Sequence, residues 1–533
     1  MRKRIFKNLL NLSTGTFLSR ILGFFRELVT AAYYGTGRAM DLFVIAFTIP
    51  TFFRHFLGED VVERAFMPPF KRLVSQKKYS SAWKILSSSL NLMSLILLVL
   101  MMLLYLIAPI IVRLIAPGLE EQYFSQAVTM TYWILPFMFI IGMASFVGGI
   151  LNFFEFNRIY SIAPAFMSVG VMIGISFFKS TLGLYALPAG FLLGGLLELF
   201  VQIPFLFHRK IKKETQATYY AKIDMKEGEF RRVGRESGFI FLKSLLDKTV
   251  EIVDRILASF LIPGSIASLW FSQRLIQLPV AIFGLSISRS LIPYLTEMNA
   301  LKKNDEFNRG IQLGIRINLL LIIPTITLIL LLGEPVITLV YQRGSFDAHS
   351  THLTTIAFIC YAVGLLGLSL NAFFSRLFSI YQQNSFPLRV SIFTALLNII
   401  LNIILVRTPL KHGGIALASS ISFTINSIIL FIFLNRKFDI ILNIKELFQE
   451  LLLLLLYSIN SGVILHLLNR YVVKQYVIKL VNNLYLQSLI ICIVTTICFL
   501  LLLVAHISIF GPERLNIRTI KRLRKIRGKT AEQ

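Results

Sequence analysis

Residues 90–107 read LNLMSLILLVLMMLLYLI, eighteen positions without a charge. A run of that length lets an α-helix cross the hydrocarbon core of a bilayer, where the backbone must satisfy its own hydrogen bonds. The same character recurs to the C-terminal side, in Leu319–Leu332 and in the six leucines Leu451–Leu456. The whole chain follows suit: its 533 residues are 56% hydrophobic and 15% charged, with a mean hydropathy of +0.72. A water-soluble fold of this length could not bury so much apolar side chain, so the bilayer is the solvent for much of it. Short alternating strands of the kind that build a barrel are not evident, and the class is all-α integral membrane.

Apolar windows of about 20 residues predict fourteen transmembrane helices, starting near residues 12, 40, 84, 128, 159, 183, 237, 266, 311, 353, 386, 412, 447 and 484. The even count puts both termini on one side. Segments 1–11, 71–83, 155–158, 208–235, 298–310, 381–388, 436–445 and 511–533 hold 32 Lys/Arg, against 8 in the opposite loops. Basic loops stay inside, so both termini are expected in the cytoplasm. The net charge of +27 is then mostly this bias together with attraction to anionic headgroups, and nucleic acid is not an expected partner. Basic Met1–Arg4 is not followed by a short apolar core and a cleavage site; the first apolar stretch holds Arg20, Arg26 and Glu27 and reads as a retained helix. Cys360, Cys492 and Cys498 lie in apolar stretches without metal-type or disulfide spacing and read as small buried hydrophobes.

An internal repeat is present. Arg26, Gly35 and Pro50 are spaced 9 and 15 apart, and Arg255, Gly264 and Pro279 repeat those spacings 229 residues later. Gly118 and Gly344 each follow a long apolar helix, and Ser161-Ile-Ala-Pro164 echoes Asn384-Ser-Phe-Pro387. The plan is two parallel, pseudo-symmetric six-helix lobes, 1–207 and 237–436, joined by a basic linker at 208–236. Helices thirteen and fourteen (437–510) and a basic tail (511–533) follow. Repeats of this kind suit a transporter, with cargo expected between the halves.

The membrane helices carry charges that lipid would not tolerate. An arginine at mid-membrane costs at least ~2.5 kcal/mol on insertion scales, so it must face water or a partner. Arg20 and Glu27 share one face of the first helix, and Arg26 lies about 120° round from Arg20. Gly23, midway, would let a ligand reach the backbone between the two guanidinium groups. The plainer alternative is an Arg20–Glu27 ion pair that fastens helices. The second helix adds Asp41, Arg54, His55 and Glu59, with Pro50 as a kink; Arg54 and His55 could instead snorkel to the inner interface.

In the seventh helix Lys243, Asp247, Lys248, Glu251, Asp254 and Arg255 fall within an arc of roughly 140°. Lys248–Glu251 and Glu251–Arg255 have the spacing of local pairs, and the stripe is expected to line a wet cleft. Arg274, beside Gln273 and near Gln277, and Arg376 add further cations. Arginines from both halves suit phosphate, because the guanidinium is permanently charged and presents a planar fork of donors. A hydrophobic amine would call for carboxylates, and Glu27, Asp41 and Asp254 keep that reading open. Asn398 and Asn402, one turn apart, could join Asp254 in a cation site, or simply hydrogen-bond neighbouring helices. Metal, P-loop and nucleophile-elbow motifs are not found, so neither a catalytic site nor a bound cofactor is expected.

Several stretches resemble one family. Thr16-Phe-Leu-Ser-Arg-Ile-Leu-Gly-Phe-Phe-Arg26, Gly35-Thr-Gly37, Asp41-Leu-Phe-Val-Ile-Ala-Phe-Thr-Ile-Pro50 with Arg54, and Ala65-Phe-Met-Pro68 are similar to the start of the MurJ (MviN) lipid II flippases. Ala116-Pro-Gly118, Gln273-Arg-Leu-Ile-Gln-Leu-Pro279, Tyr341-Gln-Arg-Gly-Ser-Phe346 and Lys411-His-Gly-Gly414 extend the likeness over nearly the whole chain. That family belongs to the multidrug/oligosaccharidyl-lipid/polysaccharide exporter superfamily.

The resemblance implies a flippase of the bacterial cytoplasmic (inner) membrane. It would move lipid II, the undecaprenyl-pyrophosphate-linked peptidoglycan precursor, from the inner to the outer leaflet for cell-wall synthesis by alternating access. It implies that Arg20, Arg26, Arg54 and Arg274 line the cavity and that the last two helices form a groove for the lipid tail. On that basis Arg255 and Gly23 join the headgroup site, and Glu27, Asp41, Glu59 and Glu251 act as gating or charge partners. A monovalent cation or the membrane potential would reset the carrier, and cell-wall synthesis proteins are further partners. Three positions depart from the family pattern: Glu27 stands where Asp is usual, Gln273 where relatives can have an acid, and Glu59 in Gly58-Glu59-Asp60 lacks its following glycine. A drug or polysaccharide-unit exporter, and a non-transporting scaffold of wall assembly, are the alternatives.

Overall fold

The computed structural model describes residues 2–53, 66–208, 220, 248–383, 385–438, 442–469, 477, 481 and 483–510. Among these residues every regular element is helical. In chain order they are α1 (Arg2–Tyr34), α2 (Arg38–Phe53), α3 (Met67–Ser75), α4 (Tyr79–Ile115), α5 (Glu121–Phe153), α6 (Asn157–Leu182), α7 (Ala186–Leu206) and α8 (248–258). There follow α9 (Ser265–Pro279), α10 (Leu285–Ala300), α11 (Asn304–Tyr341), α12 (Ala348–Val363), α13 (Leu365–Ile380) and α14 (Ser385–Leu405). The last three are α15 (His412–Lys437), α16 (Ile444–Leu468) and α17 (Leu484–Phe510).

Among the described residues nine helices are long and apolar enough to cross a membrane, or ten if α12 and α13, bent by 47°, form one span. The fourteen expected exceed this number for physical reasons. Arg20, Arg26 and Glu27 interrupt the apolar character of α1, and α6 and α7 run on as one stretch, Asn157–Leu206. The continuation of α2 and most of the helix expected from residue 237 lie outside the described residues.

The chain divides into two compact units, Met1–Ala267 with Arg343–Asp347, and Ser268–Gln342 with Ala348–Gln533. The first reaches beyond the 208–236 linker and takes in α8, whose Arg255 donates to Thr48 on α2. Within this unit α6 and α7 meet most closely. Gly170-x-x-x-Gly174 faces Gly190-x-x-x-Gly194: a Cβ on Gly170 would lie 2.5 Å from the Cα of Gly194, and one on Gly174 2.3 Å from that of Gly190. Without a hydrophobic drive between helices in lipid, such backbone approach is a main source of association. Beside it, Phe43, Phe47, Phe137 and Phe191 form a contiguous ring cluster, with centroids 4.6–5.7 Å apart.

The repeat is visible in the backbone. Gly35 and Gly264 both sit at positive φ, +58° and +92°, each between two helices. The later echoes diverge. Gly344 is left-handed (φ +56°) but Gly118 is not; its missing Cβ instead admits the Phe260 backbone, 2.7 Å from where that Cβ would lie. Pro164 stands two turns inside α6, whereas Pro387 lies in the first turn of α14.

In the second unit α10, α11, α13 and α15 enclose a core that includes Leu295, Ile311, Phe373, Phe374 and Leu430. α16 begins at Asn443, whose side chain accepts from the Glu446 amide at 3.2 Å, an N-cap that satisfies one of the orphan donors of the first turn. The next turn of α16 is fastened to α11 by ions. Arg316 donates through Nε and Nη2 to both oxygens of Glu450, each at 2.9 Å, and through Nη2 to Glu446 at 3.0 Å. Glu450 is only 3% exposed. Breaking a buried pair costs more than replacing both members, because the survivor keeps its desolvation penalty. Glu450→Ala is therefore expected to destabilise the α11–α16 contact by about 3 kcal/mol, and the Arg316→Met/Glu450→Met double variant by clearly less. Thermal unfolding in detergent measures both; a double variant no milder than the single would refute this account.

Candidate functional site

On α1, Glu27 is 7% exposed and accepts from Arg26 Nη2 at 2.7 Å. The Arg26 guanidinium also lies 5.5 Å from the centroid of the Phe191 ring on α7. Helical phase favours Arg20 as the ion partner of Glu27, yet the arginine paired with it here is its neighbour. Sequential residues do not face each other on a helix, so Arg26 reaches round with its long stem, and the aromatic platform favours its head there. Arg20 is exposed. Between them Gly23 opens the helix surface: an added Cβ would meet only Ser168 Oγ, at 3.9 Å.

Asp41, expected as a gating or charge partner, meets the start of a helix. It is 2% exposed and accepts from the backbone N–H of Gly264 at 2.6 Å and of Ala267 at 2.8 Å. These donors sit where α9 begins, and the first N–H groups of a helix have no partner within it. A carboxylate there is favoured by the two charge-assisted hydrogen bonds and by the helix dipole.

The charged stripe of α8 forms the local pairs its spacing predicts: Lys248 Nζ to Glu251 at 2.6 Å, and Arg255 Nη2 to Glu251 at 2.5 Å. Arg255, expected to hold headgroup, is 7% exposed, and its other Nη donates to Thr48 Oγ1 on α2. Here it works as a strut that places α8 on α2, because a desolvated guanidinium needs most of its donors matched. One turn on, Ser259 Oγ accepts from the Gly118 amide at 3.0 Å and donates to the Ile256 carbonyl at 2.7 Å. Asp254 is half-buried. Arg54, His55, Glu59, Lys243 and Asp247 lie outside the described residues.

In the second unit Arg274 is half-buried with its guanidinium 4.1 Å from the Trp270 ring centroid, while Gln273 and Gln277 are exposed on the same helix. Pro279 ends α9, and a π-helical turn at Val280–Gly284 follows before α10. Such turns recur at functional sites and kinks. Arg376 on α13 is half-buried. Asn402 donates to Asn398 Oδ1 at 2.9 Å within α14, and Asn398 donates to Ser419 Oγ on α15 at 3.3 Å, a hydrogen bond between helices. Among the described residues no group of three or more His, Cys, Asp or Glu could hold a metal ion.

Sequence reasoning missed Thr48, Phe191 and Trp270. Trp270 stands four residues before Arg274, a spacing that brings it onto the same helix face; Thr48 and Phe191 are brought in by other helices and leave no local signal.

Comparison with known proteins bears on the family. The family model described as lipid II flippase MurJ matches residues 30–486. A probable lipid II flippase MurJ of Buchnera aphidicola subsp. Acyrthosiphon pisum is 28% identical over 439 residues, covering 81% of this chain and 83% of the relative. The solved structure of a lipid II flippase MurJ in an inward closed conformation superposes with a TM-score of 0.77 at 25% identity, over 95% of this chain and 99% of that one. An inward-facing multidrug resistance transporter of the MATE family shares the fold, with a TM-score of 0.65 at 15% identity over 80% of this chain and 97% of its own. Fold, repeat and family model agree: this multi-pass, all-α membrane protein belongs to the lipid II flippase MurJ family.

Proposed function

We infer that the protein is a lipid II flippase, a transporter that turns the lipid-linked peptidoglycan precursor from the inner to the outer leaflet of the bacterial cytoplasmic membrane. The observation that carries this is the family match over residues 30–486, joined to arginines held within apolar helices. Arg20 and Arg26, flanking the open face at Gly23, and Arg274 on its tryptophan are the groups that engage the pyrophosphate. Arg54 joins them on the strength of the resemblance. Guanidinium forks match phosphate oxygens, and attachments of a few hydrogen bonds each stay reversible. Arg255 and Asp41 act indirectly, by fixing α8 and the start of α9.

Transport proceeds by alternating access, with both termini in the cytoplasm. The polyprenyl tail remains in lipid beside α16 and α17. The empty carrier is reset by the membrane potential or a monovalent cation, since an elementary charge gains about 2.3 kcal/mol per 100 mV. Depleting the protein tests the reading directly. Lipid II accessible at the outer leaflet is expected to fall while the inner pool accumulates; unchanged outer-leaflet exposure would overturn it.

A further inference from the structure

Two arginines of the second unit, Arg289 on α10 and Arg376 on α13, come together where these helices pack. Close contacts fix the seam. A Cβ on Gly284, just before α10, would lie 2.4 Å from Ser369 Oγ on α13. One on Gly314 of α11 would lie 2.5 Å from Phe373 and 3.0 Å from Leu291, so these two side chains meet further along. Both contacts advance in the same sense, and α10 and α13 run side by side. From the first contact Arg289 stands five residues on and Arg376 seven. At 1.5 Å per residue their heights differ by about 3 Å. Ser369, Phe373 and Arg376 share one face of α13, the face turned to α10. The two guanidinium groups lie within electrostatic reach of each other.

A lone arginine near a helix end is ordinarily explained by snorkelling to the interface. That does not account for two brought together, because like charges repel unless an opposite charge lies between them. Among the described residues neither guanidinium makes a hydrogen bond or an ion pair. α13 has no Asp or Glu, and α10 has only Glu297, eight residues or about 12 Å beyond Arg289. Arg376 is half-buried, which weakens screening by water; Arg289 is exposed and leaves the pair open to a ligand. The pair is also remote from Arg274, which precedes Arg289 by 15 residues, about 22 Å along the run from α9 to α10.

We propose that Arg289 and Arg376 form a binding site for a doubly charged, phosphate-bearing anion: a diphosphate, or the paired phosphates of a cardiolipin-type headgroup. Two planar forks side by side match two phosphate groups, and an anion between them replaces repulsion with two attractions. The test is binding to the full-length protein in phosphatidylcholine nanodiscs, with and without cardiolipin, and with inorganic pyrophosphate in the buffer. Each ligand is followed through the rise it causes in the midpoint of thermal unfolding. At least one is expected to stabilise wild type, and Arg289→Gln and Arg376→Gln each to weaken its apparent affinity roughly tenfold or more. Arg407→Gln removes an exposed arginine at the far end of α14 and is expected to change nothing. A response to cardiolipin alone identifies a lipid headgroup as the source; a response to pyrophosphate shows that the phosphate groups suffice. Failure of both ligands to stabilise wild type would overturn the site. Undiminished affinity in Arg289→Gln and Arg376→Gln would do so too, as would an equal loss in Arg407→Gln. Should Arg376→Gln fail to fold, Arg289→Gln, at an exposed position, decides alone. Transport is not read, so the result stands apart from the flippase reading.

Discussion

Arg26→Ala is expected to abolish lipid II export, and Arg274→Ala to do the same, while both variants reach the membrane at normal levels. The argument is electrostatic. In α1 the Arg26 guanidinium is held by Glu27 at 2.7 Å and by the face of Phe191, so its position is set before cargo arrives. The Arg274 guanidinium lies 4.1 Å from the Trp270 ring centroid. A charge-assisted hydrogen bond contributes about 1.5–3 kcal/mol, so losing a bidentate phosphate contact is expected to reduce transport roughly 100-fold or more. Arg26→Lys separates charge from shape: it keeps the cation but loses the fork, and export is expected to be impaired yet measurable. The readouts are growth at native expression and outer-leaflet lipid II. If both alanine variants sustained wild-type growth and export, arginine-based headgroup binding would have to be abandoned.

Asp41→Ala carries the second large effect, on stability. Two backbone N–H groups at the start of α9 donate to this one carboxylate, at 2.6 and 2.8 Å, in a site that is 2% exposed. Removing it leaves both donors buried, at about 1–3 kcal/mol each. A loss of roughly 2–5 kcal/mol is thus expected, seen as a lower midpoint of thermal unfolding in detergent. Asp41→Asn retains one acceptor oxygen but turns an NH2 toward the other donor, so it is expected to recover less than half of the loss. Melting curves that coincide with wild type for both variants would show that the cap contributes nothing.

Much was legible in the sequence because it follows from spacing along one helix. The uncharged run at 90–107 required a bilayer, and it lies within α4, Tyr79–Ile115. The repeat matched Gly35 with Gly264, and both residues have positive φ. Lys248, Glu251 and Arg255 pair as their three- and four-residue spacings require. Intrahelical geometry is fixed by 3.6 residues per turn, so these features need no tertiary information.

Partnerships across helices were not legible, and they changed the roles of individual charges. The sequence offered Asp41 as a gating or charge partner and Arg255 as a headgroup ligand. Packing gives Asp41 the backbone N–H groups of Gly264 and Ala267, and gives Arg255 the Thr48 hydroxyl. A buried charge takes whatever donors or acceptors the neighbouring helix brings, because an unmatched one costs several kcal/mol. Thus the sequence by itself determined a membrane protein of paired helical repeats, with arginines that had to meet an anion, water or a partner. The tertiary structure decided which neighbours those charges meet, since desolvation is a property of three-dimensional neighbours and leaves no periodic trace along the chain.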